Sequence, residues 1–122
     1  MMDTRNKILT LQQARRIDDA IAFVTHLEVL RACHLQKLEA AVAANPGKLV
    51  VVLTDPQAPL APLQARAELA AALRVVDFVV PAPKGPGPVL EALRPKAVVN
   101  DEEEDRGRTR LLMEHVRSRA RV

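Results

Sequence analysis

Hydrophobic residues occur in short continuous runs separated by amphipathic stretches, an order that predicts strands alternating with helices. Apolar runs rich in β-branched residues predict strands at residues 20–25, 48–54, 75–80 and 96–100. The second run is apolar from Leu49 to Leu53 without alternation, which is typical of a central parallel strand covered on both faces.

The stretches between these runs predict helices. Thr10-Leu11-Gln12-Gln13 matches a capping box and predicts a leader helix over about residues 11–19. The spacing of apolar residues predicts further helices over about residues 31–44, 63–73, 89–93 and 108–119. Leu35, Leu38, Ala41 and Val42 form the predicted buried stripe of the second helix. The prolines of residues 81–88 predict a stiff connector, and the acidic run of residues 101–105 predicts a solvated loop.

Together these elements predict one α/β domain over residues 1–122. The expected architecture is a Rossmann-like three-layer α/β/α fold with a mostly parallel sheet of four to five strands. A ligand crevice in such a sheet opens at the carboxyl ends of the strands. The polar residues predicted at this edge are Thr25, His26, Asp55, Asn100 and Asp101.

Composition limits the classes of function. The net charge of +3 arises in the C-terminal segment 106–122, which holds six Arg and one Glu. Two aromatic residues, Phe23 and Phe78, are too few for the stacking platforms of single-strand nucleic-acid binders, so nucleic acid is not an expected partner. The lack of a long apolar run predicts no membrane span. A single cysteine, Cys33, predicts a reducing cytoplasm, and His and Cys spacing predicts no metal site.

Four segments resemble the cytidylyltransferase-like nucleotidyltransferases, especially the nucleotidyltransferase domain of bacterial ADP-heptose synthases and glycerol-3-phosphate cytidylyltransferase. Residues 7–14 resemble the leader before the family's first strand. Leu30-Arg31-Ala32-Cys33-His34-Leu35 falls where the family has its HxGH signature. The segments Pro62–Arg66 and Ala71–Val80 resemble the family's middle part and are the most specific piece.

The resemblance implies transfer of a nucleotidyl group from a nucleoside triphosphate to a phosphosugar or polyol phosphate, with release of pyrophosphate. It also implies Mg²⁺ in an active enzyme, and a homodimer. His34 matches the second signature histidine, and Arg31 replaces the first, so these two are the candidate catalytic residues. The residues expected to contact the nucleotide are Thr25, His26, Arg66, Asn100 and Thr109.

Three parts of the family's triphosphate site are altered in this chain. Cys33 replaces the signature glycine, and the turn His26-Leu27-Glu28 is one residue shorter than the family's glycine-containing turn. After the fourth strand the loop is short and acidic, and Thr109 alone keeps the hydroxyl character of the family's Ser/Thr-rich turn. These changes predict weakened or lost catalysis.

Several residues have two interpretations. His34 is a phosphate ligand or a partly exposed residue in the first turn of a helix, and His26 replaces the missing histidine or is a solvated loop residue. Arg66 contacts substrate or lies on a helix surface, and Asp55 contacts a ribose or opens a turn. The acidic run holds Mg²⁺ or is solvated and pairs with the adjacent arginines.

Two functional hypotheses follow from these observations. The chain is either a nucleotidyltransferase or a non-catalytic descendant that senses nucleotides or acts as a dimeric scaffold. Retention of the fold does not distinguish them, because function is carried by the site.

Overall fold

The computed structural model describes residues 3–28, 32–56, 59–104, 107, 110 and 111. Its four strands are β1 (Ala20–Thr25), β2 (Lys48–Thr54), β3 (Phe78–Ala82) and β4 (Ala97–Asn100). The α-helices with assigned bounds are α1 (Leu11–Ala14), α2 (Ala32–Ala44), α3 (Leu63–Ala71) and α4 (Gly87–Leu93). A 3-10 turn, Thr4–Lys7, precedes α1.

All strand pairs in the sheet are parallel, and the strand order is β3-β2-β1-β4. The pairs Ala20 with Lys48 and Ile21 with Ala97 set the register of β1 against its two neighbours. From β1 the chain adds β2 and then β3 on one side, and it then returns to place β4 on the other side of β1. The direction in which strands are added therefore reverses between β1 and β4. The predicted Rossmann-like α/β fold is confirmed.

Alternate residues of the two central strands enter two separate cores. Ile21 and Phe23 of β1 pack on the face that also buries Leu38 of α2 and Ala67 of α3. Ala22 and Val24 pack on the opposite face, with Ala14, Ile17, Val89 and Leu93. This burial on both faces explains why the central strands lack hydrophobic alternation.

Two predicted elements end or begin elsewhere. The capping box at Thr10 is present, but α1 ends at Ala14, because the backbone bonds that follow, Arg16 N–H to Gln13 O and Ile17 N–H to Ala14 O, close the tighter turns of a 3-10 helix. The chain then enters β1 through a left-handed residue, Asp19 (φ 60°). The prediction of a third strand over residues 75–80 is wrong at both limits, since β3 begins at Phe78 and continues through Pro81 to Ala82. Proline has no backbone N–H to donate, and an edge strand tolerates it where that position faces away from the neighbouring strand.

The other differences are smaller. Helix α3 ends two residues before the predicted position, and α4 begins earlier, at Gly87, because prolines fit the first turn of a helix. The prediction of a loop over the whole acidic run is wrong, since residues 102–104 are helical. Residues 107, 110 and 111 are helical as well, and most of the predicted final helix lies outside the described residues.

The first described turn carries an exposed ion pair. Asp3 caps the 3-10 turn by accepting a hydrogen bond from the backbone N–H of Arg5, and its carboxylate also pairs with the Arg5 guanidinium at 3.0 Å. These bonds, chiefly the one from the guanidinium, lower the pKa of Asp3 below its ordinary value.

Candidate functional site at the carboxyl edge

The carboxyl ends of β1, β2 and β4 gather the polar residues that the sequence predicts there. Thr25 and His26 lie at the end of β1 and are 1% and 4% exposed. Asn100 ends β4, and Asp101, which follows it, continues the sheet by donating its backbone N–H to Val24 O at 2.7 Å. This edge is also where the winding reverses, the position at which open α/β sheets bind ligands.

Arg66 enters this edge from α3 and is only 2% exposed. Its guanidinium donates hydrogen bonds to the carbonyl oxygens of His26 (2.7 Å), Thr54 (2.9 Å) and Ala61 (3.0 Å). It also pairs with the Asp55 carboxylate. The helix-surface interpretation of Arg66 is therefore wrong, and Asp55 is an ion-pair partner as well as the residue that follows β2. Arg66 fixes the ends of β1 and β2 relative to each other.

His26 belongs to a chain of polar contacts that spans three strand ends. Its Nδ1 lies 2.9 Å from Thr54 Oγ1 and 3.2 Å from Thr54 O. The carbonyl and hydroxyl oxygens of Thr54 therefore both lie within hydrogen-bond distance of the His26 ring. The Thr54 hydroxyl donates to Glu102 Oε2 at 2.8 Å, and His26 Nε2 faces the same oxygen at 3.9 Å. The interpretation of His26 as a solvated loop residue is wrong.

Asn100 holds the other side of Glu102. Its Nδ2 donates to Glu102 Oε1 at 3.2 Å, and its Oδ1 accepts a hydrogen bond from the Glu102 backbone N–H at 3.0 Å. Both polar atoms of the Asn100 side chain therefore form hydrogen bonds with Glu102. Both carboxylate oxygens of Glu102 have partners from the strand ends.

The turn after β1 carries backbone strain. Leu27 has φ 50°, in the left-handed region that glycine adopts freely and leucine rarely does. Its side chain is 2% exposed, and its backbone N–H donates to Thr25 Oγ1 at 3.3 Å. Glu28 Oε2 accepts from the backbone N–H of Leu60, which joins this turn to the loop after β2. Burial of Leu27 offsets the strain of its backbone.

Helix α2 contributes one buried and one bridging side chain. His34 is 1% exposed, so the interpretation of a partly exposed residue is wrong, whereas Leu35, predicted to be buried, is 38% exposed. Lys37 Nζ lies 3.0 Å from Asp101 Oδ1 and also pairs with Glu104. Arg31 and Thr109 lie outside the described residues.

A cavity of about 350 Å³ adjoins this edge between α2 and β4. Phe23, Ala41 and Val99 line its apolar part, and Lys37 and Glu104 lie at its polar side. Across the described ranges, no group of three His, Cys, Asp or Glu side chains is arranged to hold a metal ion.

The structure thus brings together Thr25, His26, Arg66 and Asn100, and adds three residues that sequence analysis missed. Thr54 ends β2 and has the same signal as Thr25, a polar residue at the end of an apolar run, whereas Lys37 carries no local signal, because it reaches the edge from α2. Glu102 lies in the predicted acidic run, but nothing in the sequence distinguishes it from the other four acidic residues there. Within the described segments, no helix has the length and apolar character needed to cross a membrane.

The fold is similar to the crystal structure of a lipopolysaccharide core biosynthesis protein from Thermoplasma volcanium. The TM-score is 0.59 at 18% sequence identity, over 65% of this chain and 70% of that chain. No protein-family model and no curated protein matches the sequence. A likeness at this identity establishes a related α/β fold.

Proposed function

We propose that this chain is a cytidylyltransferase-like nucleotidyltransferase domain that does not transfer nucleotides and serves as a non-catalytic module. The resemblance of residues 7–14, 30–35, 62–66 and 71–80 and the related fold support the ancestry. The polar contacts at the carboxyl edge support the loss of activity.

The main support for lost activity is that the polar side chains of this edge form hydrogen bonds with each other and with the backbone. Catalysis by electrostatic stabilisation requires donors that are aimed at the reacting group before it arrives. Here the Arg66 guanidinium is engaged by three carbonyl oxygens and a carboxylate. His26 is engaged by Thr54. In this arrangement the donors bind strand ends and an internal carboxylate, Glu102, rather than a substrate.

The charges of the edge also disfavour a triphosphate. Asp55, Asp101, Glu102 and Glu104 place four carboxylates there, against the cations of Arg66 and Lys37. An excess of negative charge repels a polyanion unless a divalent cation intervenes. Mg²⁺ would therefore be needed by any active form, with nucleoside triphosphate and phosphosugar as its substrates.

The direct test measures pyrophosphate release from each nucleoside triphosphate with Mg²⁺ and a panel of phosphosugars and polyol phosphates. We expect no release above background at micromolar protein. A His34→Asn variant, assayed beside the unmodified chain, identifies release by a contaminant, because contaminating activity is the same in both preparations. Release that is present in the unmodified chain and absent in the variant contradicts the proposal.

The form of the module is tested separately. A nucleotide present at 100 times its dissociation constant stabilises the fold by about 2.7 kcal/mol, which a thermal-shift assay detects readily. A shift with nucleotide favours a sensing module, whereas an unchanged melting temperature together with a dimer in sedimentation favours the dimeric scaffold. A monomer that no nucleotide stabilises contradicts both forms.

A further inference from the structure

The Glu102 carboxylate lies among three polar groups that come from three different strand ends. It accepts hydrogen bonds from the Thr54 hydroxyl at 2.8 Å and from the Asn100 amide at 3.2 Å. His26 Nε2 lies 3.9 Å from it. Thr54, His26 and Asn100 therefore surround one anionic group.

Two of these groups are fixed before any ligand arrives. Thr54 and His26 are 2% and 4% exposed, and the Arg66 guanidinium holds the backbone carbonyl oxygens of both residues. Hydrogen bonds to an anion are stronger than those between neutral groups, and a partly buried setting strengthens them further. Because the guanidinium also pairs with Asp55, it fixes the positions of these two residues and adds no uncompensated charge.

We propose that Thr54, His26 and Asn100 form a binding site for a tetrahedral oxyanion, such as a phosphate group, and that Glu102 occupies this site as an internal competitor. A carboxylate and a phosphate oxygen accept from the same donors, so one can replace the other. A tethered competitor acts at a high effective concentration, which keeps free phosphate out at ordinary concentrations.

The position of Glu102 makes the exchange possible. Its side chain is 24% exposed, whereas that of His26 beneath it is 5% exposed. The carboxylate therefore lies between the site and water, and its removal exposes the Thr54 hydroxyl and the His26 imidazole to solvent. This inference holds whether or not the chain transfers nucleotides.

The test compares phosphate binding by Glu102→Ala and by Glu103→Ala. Both variants lose one negative charge from neighbouring residues, but Glu103 is exposed and does not belong to the site. Inorganic phosphate is titrated at constant ionic strength while the His26 ring signals are followed by NMR. We expect affinity in Glu102→Ala to be about ten-fold or more above that of the unmodified chain, and Glu103→Ala to stay within about two-fold.

Equal affinities in the two variants overturn the proposal, because the gain then reflects the general field. So does binding that leaves the His26 signals unmoved. Addition of Thr54→Val to Glu102→Ala keeps the shape but removes the hydroxyl donor, and we expect it to abolish the gain. If Glu102→Ala does not fold, Glu102→Gln keeps the size and removes the charge, and it should show a smaller gain of the same kind.

The source of the oxyanion is resolved with two further probes on the Glu102→Ala variant. Cytidine monophosphate binding more tightly than inorganic phosphate indicates a nucleotide phosphate, and the reverse order indicates free phosphate. Cytidine, which lacks a phosphate, serves as the control. Cytidine that moves the His26 signals as strongly as the monophosphate overturns the assignment of an oxyanion site.

Discussion

The two ends of the sheet both join neighbouring strands through charged side chains, but they differ in burial. At the carboxyl end, Arg66 is 2% exposed and binds carbonyl oxygens of β1 and β2 directly. At the amino end, the Lys96 and Asp19 side chains form an ion pair at 2.7 Å and are 40% and 60% exposed. Strand alignment there depends on the backbone, since Lys48 N–H binds Asp19 O.

Burial determines how much each of these interactions contributes to stability. A buried charge stabilises the fold only while all its partners are present, so the loss of one partner is costly. An exposed ion pair gains little, because water screens it, whereas a close backbone approach tolerates no added atoms.

Replacement of Arg66 by Met should produce the largest effect. The carbonyl oxygens of His26, Thr54 and Ala61 and the Asp55 carboxylate lose their donor, and we expect the free energy of unfolding to fall by about 3–5 kcal/mol. Urea unfolding measures the change. The matched control is Arg74→Met, an exposed position just after α3, which should shift stability by less than about 0.5 kcal/mol. Similar losses in the two variants would contradict the role of Arg66.

Replacement of Gly47 by Ala should come next. A Cβ at this position would lie 2.6 Å from Asp19 O, so the turn before β2 must move. We expect a loss of about 1–3 kcal/mol in urea unfolding. Gly87→Ala is the control, because a Cβ there meets nothing within 4 Å. If Gly47→Ala proves as stable as Gly87→Ala, the amino end is not constrained by backbone contact.

Replacement of Lys96 by Met should cost less than about 1 kcal/mol, although Lys96 pairs with Asp19 and contacts Pro46 O. A double-mutant cycle with Asp19→Asn isolates the pair from the other contacts of Lys96. A coupling energy as large as the loss in Arg66→Met would remove the proposed difference between the two ends.

The exposed pair of Asp3 and Arg5 should show the smallest effect. Hydrogen bonds from Arg5 lower the pKa of Asp3, so the stabilisation is present above the ordinary aspartate pKa and is lost as pH falls through the lower folded value. In an NMR titration of the Asp3 carboxyl carbon, we expect Arg5→Gln to raise the midpoint. An unchanged midpoint would show that the pair does not form in solution.

The sequence predicts the central strands well because strands that are buried on both faces are apolar along nearly their whole length. Both faces of β1 and β2 are covered, so their apolar runs begin and end with the strands themselves. The limits of β3 are harder to predict, because whether a strand continues through Pro81 depends on its place at the sheet edge. The burial of His34 does have a signal, since it precedes Leu38 by four residues and Ala41 by seven on one helix face.

The candidate site is predicted only in part. Parallel topology brings Thr25, His26 and Asn100 to one edge, so their approximate positions follow from the strand order. Their partners do not follow from it. The contacts from Arg66 to His26 and from Glu102 to Thr54 join residues that lie far apart in sequence, and side-chain direction decides them.

The place of β4 beside β1 determines when the sheet can be completed during synthesis. Ile21 pairs with Ala97, so one edge of β1 stays open until nearly the whole described chain has been made. Contacts between such distant segments form slowly, because a long loop must close before any hydrogen bond is gained. An unfinished chain that ends before residue 97 exposes an unpaired apolar strand edge, the kind of surface on which chaperones act and aggregation begins.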